Sequence, residues 1–501
     1  MTGTPGCPVL DRVLEVAARA PDRTAVVGAE RDLTYRQLAA QTAEYAGRLS
    51  SLGLRSRSVV ALSCDGEEDV AAAWLGARAA GHVPALVDAR LEGSGLVTIG
   101  NTARPAAWVH LRHGLVREGE VDAPGMPPGA GYVSFSSGSQ GTPKAIVGSA
   151  TGLASFLRWE AHSLSLGAQS RVAMLTSPSF DVVLRDLLVA LCSGGQVHVA
   201  PSVVRFSPGR VLRWIADHRI TVLHAVPSLA MRWLAARPVA LPELAFTLFA
   251  GEPLSGTQVR SWREVAPNTR ILNLYGPSET TLAAFAYQVP DLVGDGVLPV
   301  GRPLPGVSVQ LEPVLTEAVP GREAHGARRV VISNAHGSLG YLPGTAHPDQ
   351  VAQLQRTGDV TVFRTSDRGE VDEHGNLVVA GRLDSLVKRH GTFVDTALIE
   401  SAAVGDDAVT MAVCLQEPDT GDIALLVQAE PETDGHALLA RLRPKLGPAV
   451  PDRVLTLDAV PRLPSGKADR VRLRELLAVG ALDESGWSRG HHRPTAVQEP
   501  A

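Results

Sequence analysis

Short apolar runs alternate with segments of helical periodicity between residues 8 and 288 of this 501-residue chain. Residues 33–53 carry apolar side chains at helical spacing and end on Gly53, which is typical of a helix C-terminus. The run SVVALSCD at 58–65 is a predicted strand, residues 67–81 are a predicted helix, and residues 82–88 are a further strand. Strands and helices that alternate in this way pack as layers on a largely parallel sheet, so the pattern predicts an α/β fold.

A loop of glycines and hydroxyl side chains, SSGSQGTPK at 136–144, follows a predicted strand that begins at Gly131. Glycines let backbone N–H groups converge on an anion, hydroxyls add rotatable donors, and Lys144 adds a compact charge, so the loop suits a polyphosphate. It is not a Walker loop, because the pattern GxxxxGK[ST] is absent. An ordinary flexible turn is the alternative.

Lysine is rare in this chain, which makes its few positions informative. Lysine occurs only at Lys144, Lys388, Lys445 and Lys467, against a combined lysine and arginine total of 47. Lys445 lies in a segment that is predicted to be exposed, whereas the other three lie near glycines in loop-like segments. Because lysine offers a compact charge where arginine is a broad planar fork, Lys144 and Lys467 are candidates for ligand contact.

Composition excludes several classes of function. The apolar content of 45% and charged content of 20% are those of an ordinary globular protein, and a net charge of −5 gives no reason to expect nucleic acid or an anionic membrane as a partner. No signal-type apolar segment or membrane-spanning run is present, which predicts a cytoplasmic protein. Cys7, Cys64, Cys192 and Cys414 are too far apart to suggest a disulfide framework or a zinc site.

The length predicts two or more domains. Residues 300–380 are rich in valine and glycine and read as β-structure, and a smaller α/β alternation resumes after the charged turn at Gly381–Asp384. We predict a large domain at 1–383, composed of layered α/β subdomains and a β-rich subdomain. A small, mobile α+β domain is predicted at 384–482, and a polar, disordered tail at 483–501.

Three polar clusters follow predicted strands of the large domain. They are the loop at 136–144, the pair Phe180-Asp181 and the run YGPSETT at 275–281. In open α/β sheets, ligands bind beyond the carboxyl ends of the strands. We therefore expect the three clusters to converge on one edge, with Asp181 in the first turn of the helix that follows it.

The order of these motifs resembles that of the adenylate-forming superfamily, which contains acyl-CoA synthetases, luciferases and the adenylation domains of nonribosomal peptide synthetases. The resemblance covers residues 8–475 and implies ATP and Mg²⁺ as cofactors. It rests on six motifs in family order: SSGSQGTPKA at 136–145, FAGEPL at 249–254, YGPSETT at 275–281, FRTSDRG at 363–369, GRLDSLVKRHG at 381–391 and LPSGKADR at 463–470.

The resemblance implies roles for individual residues. Tyr275 would stack on adenine, Glu279 would bind Mg²⁺, and Lys467 would contact the substrate carboxylate and the α-phosphate. The implied catalytic residues are Lys467, Glu279 and Lys144. The implied ATP- or AMP-binding residues are Ser136, Ser137, Gly138, Ser139, Gly141, Thr142, Lys144, Gly251, Glu252, Tyr275, Gly276, Ser278, Asp367 and Arg382.

Two aspartates compete for the ribose site that the resemblance implies. Thr357-Gly358-Asp359 matches the family's TGD motif literally, but Asp359 lies 22 residues before Gly381. Asp367 lies 14 residues before Gly381, which is the spacing expected of the family. We therefore assign the ribose hydroxyls to Asp367 and interpret Asp359 as a turn residue.

The resemblance also implies a hinge and a second partner. Asp384 would be the hinge of the small domain, and Gly391 would line a passage for a phosphopantetheine arm. The run Leu383-Asp384-Ser385-Leu386 resembles the attachment site of a carrier protein, but the flanking hinge motif accounts for it. Since 31 residues follow Arg470, too few for a carrier domain, we expect the peptidyl carrier protein to be a separate chain.

Asp181 matches the aspartate that meets the substrate ammonium in amino-acid-activating members, and an N-cap of the following helix is its alternative role. The implied substrate pocket is Asp181, Val182, Arg185, Ala225, Leu248, Ala250, Leu274, Leu282, Ala283 and Lys467. This lining is apolar apart from Arg185 and predicts a compact apolar side chain; it resembles that of freestanding L-proline activators. Arg185 could pair with Asp186, or it could select an acidic substrate.

Several positions depart from the family pattern without removing a charged catalytic group: Gln140, Ala145, Ala150, Ser366 and Arg368. The expected function is ATP-dependent activation of an amino acid as aminoacyl-AMP with release of pyrophosphate, followed by transfer to the phosphopantetheine thiol of a carrier protein. The alternatives are an acyl-CoA ligase of the same fold and a catalytically silent nucleotide-binding homologue. The retained charges of Lys144, Glu279, Asp367 and Lys467 argue against the silent homologue.

Overall fold

The structure, a computed structural model, describes residues 7–89, 102–113, 115–119, 125–136, 144–314, 328–389, 392–406, 408–417, 420–429, 433–461, 468–483 and 486–487. They form two compact units. The first consists of the described residues up to 365 together with 369–379, and the second of 366–368 together with those from 380 onward. The domain limits at 383 and 482 remain predictions, and nearly all of the predicted tail lies outside the described residues.

The helices of the described residues are mostly three or four turns long. In chain order they are α1 (Pro8–Arg19), α2 (Tyr35–Ser51), α3 (Val70–Ala79), α4 (Ala150–Ser163), α5 (Val183–Ser193), α6 (Ser202–Arg205), α7 (Pro208–Asp217), α8 (Pro227–Ala236), α9 (Gly256–Val265), α10 (Pro348–Gln353), α11 (Thr396–Val404), α12 (Gly435–Leu446) and α13 (Arg470–Ala478).

The strands of the first unit in chain order are β1 (Thr24–Val27), β2 (Asp32–Thr34), β3 (Val59–Cys64), β4 (Val83–Asp88), β5 (Ala107–His110), β6 (Leu115–Glu118), β7 (Ala130–Ser136), β8 (Lys144–Ser149), β9 (Arg171–Met174), β10 (Gln196–Val199), β11 (Val222–Ala225), β12 (Phe246–Ala250), β13 (Arg270–Tyr275), β14 (Phe285–Gln288), β15 (Arg302–Pro303), β16 (Val307–Pro313), β17 (Arg328–Asn334), β18 (Gly340–Tyr341) and β19 (Leu354–Thr357). The chain passes between the units in β20 (Val360–Val371) and β21 (Leu377–Arg382). The second unit contains β22 (Leu386–Arg389), β23 (Thr392–Asp395), β24 (Val409–Gln416), β25 (Ile423–Ala429), β26 (Arg453–Leu457), β27 (Leu482–Asp483) and β28 (Gly486–Trp487).

Local sequence signals set the ends of α2. Thr34 accepts a hydrogen bond from the backbone N–H of Gln37, and the Gln37 side chain accepts one from the backbone N–H of Thr34. This reciprocal capping box satisfies N–H groups that the first turn of a helix leaves unpaired. At the other end, Gly53 has a φ of +63°, the left-handed conformation that glycine adopts freely after a helix.

Two large sheets and a smaller one organise the first unit. The nine-stranded sheet has the order β15-β14-β13-β12-β11-β9-β10-β1-β2, parallel from β13 to β1 and antiparallel at both edges. The seven-stranded sheet has the order β18-β8-β7-β4-β3-β5-β6, and the five-stranded sheet runs β16-β17-β20-β19 with β21 beside β20. The predicted α/β fold with a β-rich part is confirmed.

Apolar side chains pack on both faces of the nine-stranded sheet. On one face, Leu248 and Leu274 belong to a buried cluster that includes Leu184 and Leu187 of α5. On the other face, Phe249 belongs to a cluster with the buried tryptophans of helices α7 to α9, which are Trp214, Trp233 and Trp262. Parallel strands that are covered on both sides leave their carboxyl ends as the accessible edge.

The second unit has its own core. Strands β24, β25 and β26 form a sheet, and apolar residues of α11, α12 and α13 pack against it. The Arg470 guanidinium donates to both carboxylate oxygens of Glu400 at 2.7 Å, and Glu400 also accepts from the backbone N–H of Cys414 at 2.6 Å. Burial raises the pKa of Glu400, and Arg470 opposes that shift by favouring the charged carboxylate.

The described residues also bear on membrane-spanning helices and on the cysteines. Each of their helices is too short or too polar to cross a lipid bilayer. All four cysteines are free thiols; Cys192 is partly exposed and the other three are buried.

Candidate active site

A lysine, a glutamate and a tyrosine from three segments of the first unit meet in one cluster. Lys144 Nζ lies 3.3 Å from Glu279 Oε1, and the Tyr341 hydroxyl donates to the same oxygen at 2.6 Å. The Lys144 ammonium also lies 5.2 Å from the centroid of the Tyr341 ring. Burial, together with the Glu279 charge, raises the pKa of Tyr341 far above its usual range, so the hydroxyl remains a hydrogen-bond donor.

Strand pairing fixes the positions of these three side chains. Lys144 begins β8, which pairs with β7 on one side and with β18, the strand of Tyr341, on the other. Glu279 lies in a short 3-10 turn, and the Asn334 side chain anchors that turn by donating to the carbonyl of Thr280 at 2.7 Å. Sequence reasoning missed Tyr341, because a glycine-tyrosine pair in a β-segment gives no indication of function until the pairing of its strand with β8 is known.

Glu279 fits a magnesium ion that arrives with a polyphosphate. Both protein donors use Oε1, and no donor among the described residues reaches Oε2. The described part of the chain contains no cluster of three or more His, Cys, Asp or Glu side chains that could bind a metal by itself. Mg²⁺ is usually bound through one or two carboxylates plus substrate phosphates and water, so one open carboxylate oxygen is an adequate protein contribution.

Asp181 is buried directly before α5 and keeps one oxygen open. Its Oδ2 has no hydrogen-bond partner. Burial raises the pKa of Asp181 to about 6, although a hydrogen bond from Ser278 and the nearby Arg185 guanidinium favour the charged form. Helix α5 begins at Val183 and has no side-chain cap, so the placement of Asp181 in the first turn and its alternative role as an N-cap are both wrong.

The segments predicted to bind adenine follow β12 and β13. Gly251 has a φ of +89°, a left-handed conformation that suits glycine, and Glu252 accepts a backbone hydrogen bond at 3.2 Å from the start of α8. Tyr275 ends β13 with a half-buried ring. The next residue, Gly276, has no room for a side chain, because a Cβ there would lie 2.6 Å from the backbone nitrogen of Ala284.

The predicted substrate lining comes from several segments of the first unit: Val182 before α5, Ala225 at the end of β11, Leu248 and Ala250 on β12, Leu274 on β13, and Leu282 with Ala283 after the Glu279 turn. Ala250 pairs with Leu274 in the sheet, so these side chains share a face with Leu248. That face contacts the cluster that also contains Leu282 and Ala283, whereas Ala225 belongs to the cluster on the opposite face.

The turn that leads from Glu279 into this lining is strained. Thr281 and Leu282 have φ values of +66° and +59°, and neither is a glycine. Such residues cost about 1–3 kcal/mol each and persist where their surroundings fix the backbone. Thr281 and Ala283 also line a cavity of about 330 Å³, together with Phe156 and Trp159 of α4.

A buried charged cluster lies beside the predicted pocket. His224 of β11 contacts Glu160 of α4 through Nε2 and Asp186 of α5 through Nδ1, the latter at 2.8 Å, and all three side chains are fully buried. Burial opposes the charged imidazolium, but the two carboxylates outweigh it and raise the pKa of His224. Sequence reasoning missed this cluster. Because Asp186 contacts His224, the pairing of Arg185 with Asp186 that the sequence left open is not observed.

The residues predicted to bind ribose and to form the hinge lie in the second unit. Arg382 forms a two-pronged ion pair with Asp384 at 2.8 and 2.7 Å, and its Nη1 lies 3.4 Å from Asp367. Asp359 is a fully exposed turn residue, as predicted. Arg368, where the family usually has leucine, is ion-paired with Asp395 at the N-cap of α11.

Ser385, which belongs to the predicted hinge motif, forms two side-chain hydrogen bonds. Its hydroxyl lies 2.7 Å from both Asp395 Oδ1 and the carbonyl of Arg382. It is therefore part of the hydrogen bonding that surrounds the start of α11, and the rejection of a carrier-protein attachment site remains a prediction.

Several predicted site residues lie outside the described residues: Ser137, Gly138, Ser139, Gly141, Thr142, Gly391 and Lys467. Of Ser136, the described part is its backbone at the end of β7. The roles assigned to all of these residues remain predictions.

Three curated relatives are similar over most of this chain. Phosphinothricin tripeptide synthetase PhsC of Streptomyces viridochromogenes is 31% identical over 525 residues, which cover 97% of this chain and 46% of PhsC. The D-alanine–D-alanyl carrier protein ligase of Bacillus licheniformis is 28% identical, covering 94% of this chain and 100% of the ligase. The L-proline–[L-prolyl-carrier protein] ligase of Streptomyces coelicolor is 28% identical, covering 92% and 94%. The chain thus spans less than half of PhsC and nearly all of the two ligases.

Solved structures share the fold. A four-domain nonribosomal peptide synthetase solved with AMP and glycine superposes with a TM-score of 0.75 at 21% identity, covering 92% of this chain and 36% of that one. The anthranilate CoA ligase AuaEII, solved with anthranoyl-AMP, superposes with a TM-score of 0.79 at 19% identity, covering 94% and 98%.

The family model of AMP-binding enzymes matches residues 13–127 and 118–342, which is more than half of the chain and includes the segments of Lys144, Asp181 and Glu279. This match agrees with the order of motifs and with the fold. The chain belongs to the AMP-binding enzyme family of the adenylate-forming superfamily.

Proposed function

We propose that the protein couples an amino acid to ATP as an aminoacyl adenylate and then transfers the aminoacyl group to the phosphopantetheine thiol of a separate carrier protein. The observation that carries this proposal is the buried Asp181 carboxylate, whose open oxygen lies in the same compact unit as the Lys144–Glu279 pair. A desolvated carboxylate that keeps one oxygen without a hydrogen-bond partner suits an ammonium group, which fatty and aryl acids lack.

The first half-reaction places charge near Lys144 and Glu279. One oxygen of the substrate carboxylate attacks the α-phosphorus of ATP, and the bond to pyrophosphate breaks. Lys144 would neutralise phosphate charge, and Glu279 would bind Mg²⁺, which screens the leaving pyrophosphate when it is present. Lys467 would stabilise the negative charge that develops on the α-phosphorus, a contribution on the order of 10²–10³ in rate for a preorganised cation.

The second half-reaction needs a thiol. The sulfur of the phosphopantetheine arm, after the thiol has lost its proton, attacks the acyl carbonyl of the adenylate, and AMP leaves with the electron pair of the broken C–O bond. Two relatives that align over nearly their whole length are named as carrier protein ligases, which supports a carrier as acceptor. Their named amino acids differ, so L-proline is one candidate that the apolar lining and one relative support.

The test is amino-acid-dependent ATP–pyrophosphate exchange over the proteinogenic set, with fatty and aryl acids as controls. Exchange with an amino acid supports the proposal, and exchange with fatty or aryl acids alone contradicts it. The Lys467→Ala variant should lose about 10²-fold or more of the exchange rate while its affinity for ATP stays largely intact. Unchanged exchange in that variant would remove Lys467 from the mechanism.

A further inference from the structure

Arg185 is a buried arginine whose guanidinium lacks protein partners. The residue is 3% exposed, its Nε and Nη1 have no hydrogen-bond partner, and it forms no ion pair with a carboxylate of the described residues. A buried charge whose hydrogen bonds are not made is unfavourable. Arg185 lies in the first turn of α5 and belongs to the predicted substrate lining, so a ligand is a candidate partner for its unused N–H groups.

Asp181, of opposite charge, also has one polar atom without a hydrogen-bond partner, its Oδ2. Leu184 donates its backbone N–H to the carbonyl of Asp181 at 2.9 Å, and Arg185 donates to the carbonyl of Val182 at 3.2 Å, so a tight turn joins Asp181 to the first turn of α5. The two charges influence each other, yet Oδ2 of Asp181 and two nitrogens of Arg185 remain unpaired. A ligand with both a cationic and an anionic group would satisfy both.

The neighbouring charged cluster does not use the hydrogen bonds of Arg185. Glu160 and Asp186 both contact His224. With His224 protonated, those three side chains carry a net charge of −1, which stabilises a cation at Arg185 without occupying its N–H groups. A guanidinium that is charged, buried and unpaired is a preorganised site for a carboxylate, which it can bind through two parallel hydrogen bonds.

We propose that Arg185 binds an anionic group on the side chain of the substrate, so that the substrate is a compact acidic amino acid of the size of aspartate or glutamate. This inference rests on the proposed function, in which Asp181 takes the ammonium and the α-carboxylate reacts with ATP. Only the side chain of the substrate is then left for Arg185. The apolar residues Leu248, Ala250 and Leu274 would contact its short methylene stem.

The expected selectivity follows from the buried donors. A site built to hydrogen-bond a substrate group rejects an analogue without that group by about 10⁴-fold. An amide keeps one acceptor oxygen but loses the charge, so we expect the kcat/KM for the acidic amino acid to exceed that for its amide by about 10²-fold.

The wild-type protein provides the first test. ATP–pyrophosphate exchange is measured with L-aspartate, L-glutamate, L-asparagine, L-glutamine and L-proline, and an acidic amino acid should give the highest kcat/KM. Preference for proline or another neutral amino acid would overturn this inference while leaving the proposed function intact. Silence with every amino acid would overturn the proposed function as well.

The Arg185→Gln variant provides the second test. It removes the charge and keeps a donor, so the preference for the acid over its amide should fall about 10²-fold. Arg213→Gln is the matched control, because Arg213 is an exposed arginine of α7 that pairs, among the described residues, with Asp217 one turn away, and its preference should equal that of the wild type. A folded Arg185→Gln variant with the wild-type preference would overturn the assignment, and if that variant does not fold the wild-type profile decides.

Discussion

Replacing Asp181 with asparagine should stabilise the ligand-free protein and weaken substrate binding at the same time. Asp181 is buried, and burial raises its pKa from 3.8 to about 6 despite the hydrogen bond from Ser278 and the charge of Arg185. At neutral pH the folded protein therefore contains an ionised carboxylate that would be better solvated in the unfolded chain. Asparagine preserves the shape and removes this cost.

The size of the effect follows from the pKa shift. Because the pKa of Asp181 is higher in the folded state, its protonated form contributes stability that is complete below pH about 4 and is lost as the pH rises through about 6. A rise of about two pKa units lowers the free energy of unfolding by about 3 kcal/mol at pH 8. At pH 5, where Asp181 is only partly ionised in the folded protein, the loss is about 1.5 kcal/mol. The variant should be more stable by these amounts.

Urea unfolding at pH 8 and pH 5 measures the difference. Asp217→Asn is a suitable control, since that carboxylate is half-exposed and its replacement should give no comparable pH-dependent gain. Equal stability of the wild type and Asp181→Asn at pH 8 would refute the reasoning. In exchange assays the wild-type kcat/KM for the amino acid should fall below pH about 6, where Asp181 becomes neutral. The variant should lose about 10²-fold of kcat/KM at pH 8, and its kcat/KM should no longer show this fall at low pH.

Two further substitutions test the ATP site and the second unit. Glu279→Gln removes the open carboxylate oxygen and the partner of Lys144, so the Mg²⁺ concentration for half-maximal exchange should rise by about 10-fold or more, as measured by titration at fixed ATP. Arg470→Leu leaves the Glu400 carboxylate buried without its cation and should lower the free energy of unfolding by about 3 kcal/mol. Arg472 is an exposed arginine of the same helix, so Arg472→Leu should change the free energy of unfolding by less than about 0.5 kcal/mol.

Local patterns in the sequence predicted those parts of the fold that depend on neighbouring residues. The alternation of strands and helices, the end of α2 before Gly53 and the exposed turn at Asp359 all follow from periodicity and turn chemistry. The start of α5 was misplaced because the polar Asp181 suggests a helix terminus, while the helical backbone begins two residues later.

The parts that could not be predicted depend on contacts between distant segments. Tyr341 meets Glu279 across 62 residues, and Glu160 meets His224 across 64. Such contacts follow from strand order and helix packing, which residue patterns alone leave undetermined. The same applies to Arg185: its place in the motif was recognisable, but its lack of protein partners became visible only once Asp186 was found on His224.

The strained turn at Thr281 and Leu282 bears on how substrate preference can diverge among descendants of this chain. Drift under selection for folding alone would favour glycine or asparagine at both positions, because these residues relieve left-handed strain. A relaxed turn, however, would also displace Glu279, the residue proposed to bind Mg²⁺, which precedes Leu282 by three positions. A lineage can therefore rebuild the lining on β12 and β13 while keeping its nucleotide chemistry, whereas a change in the turn alters both together.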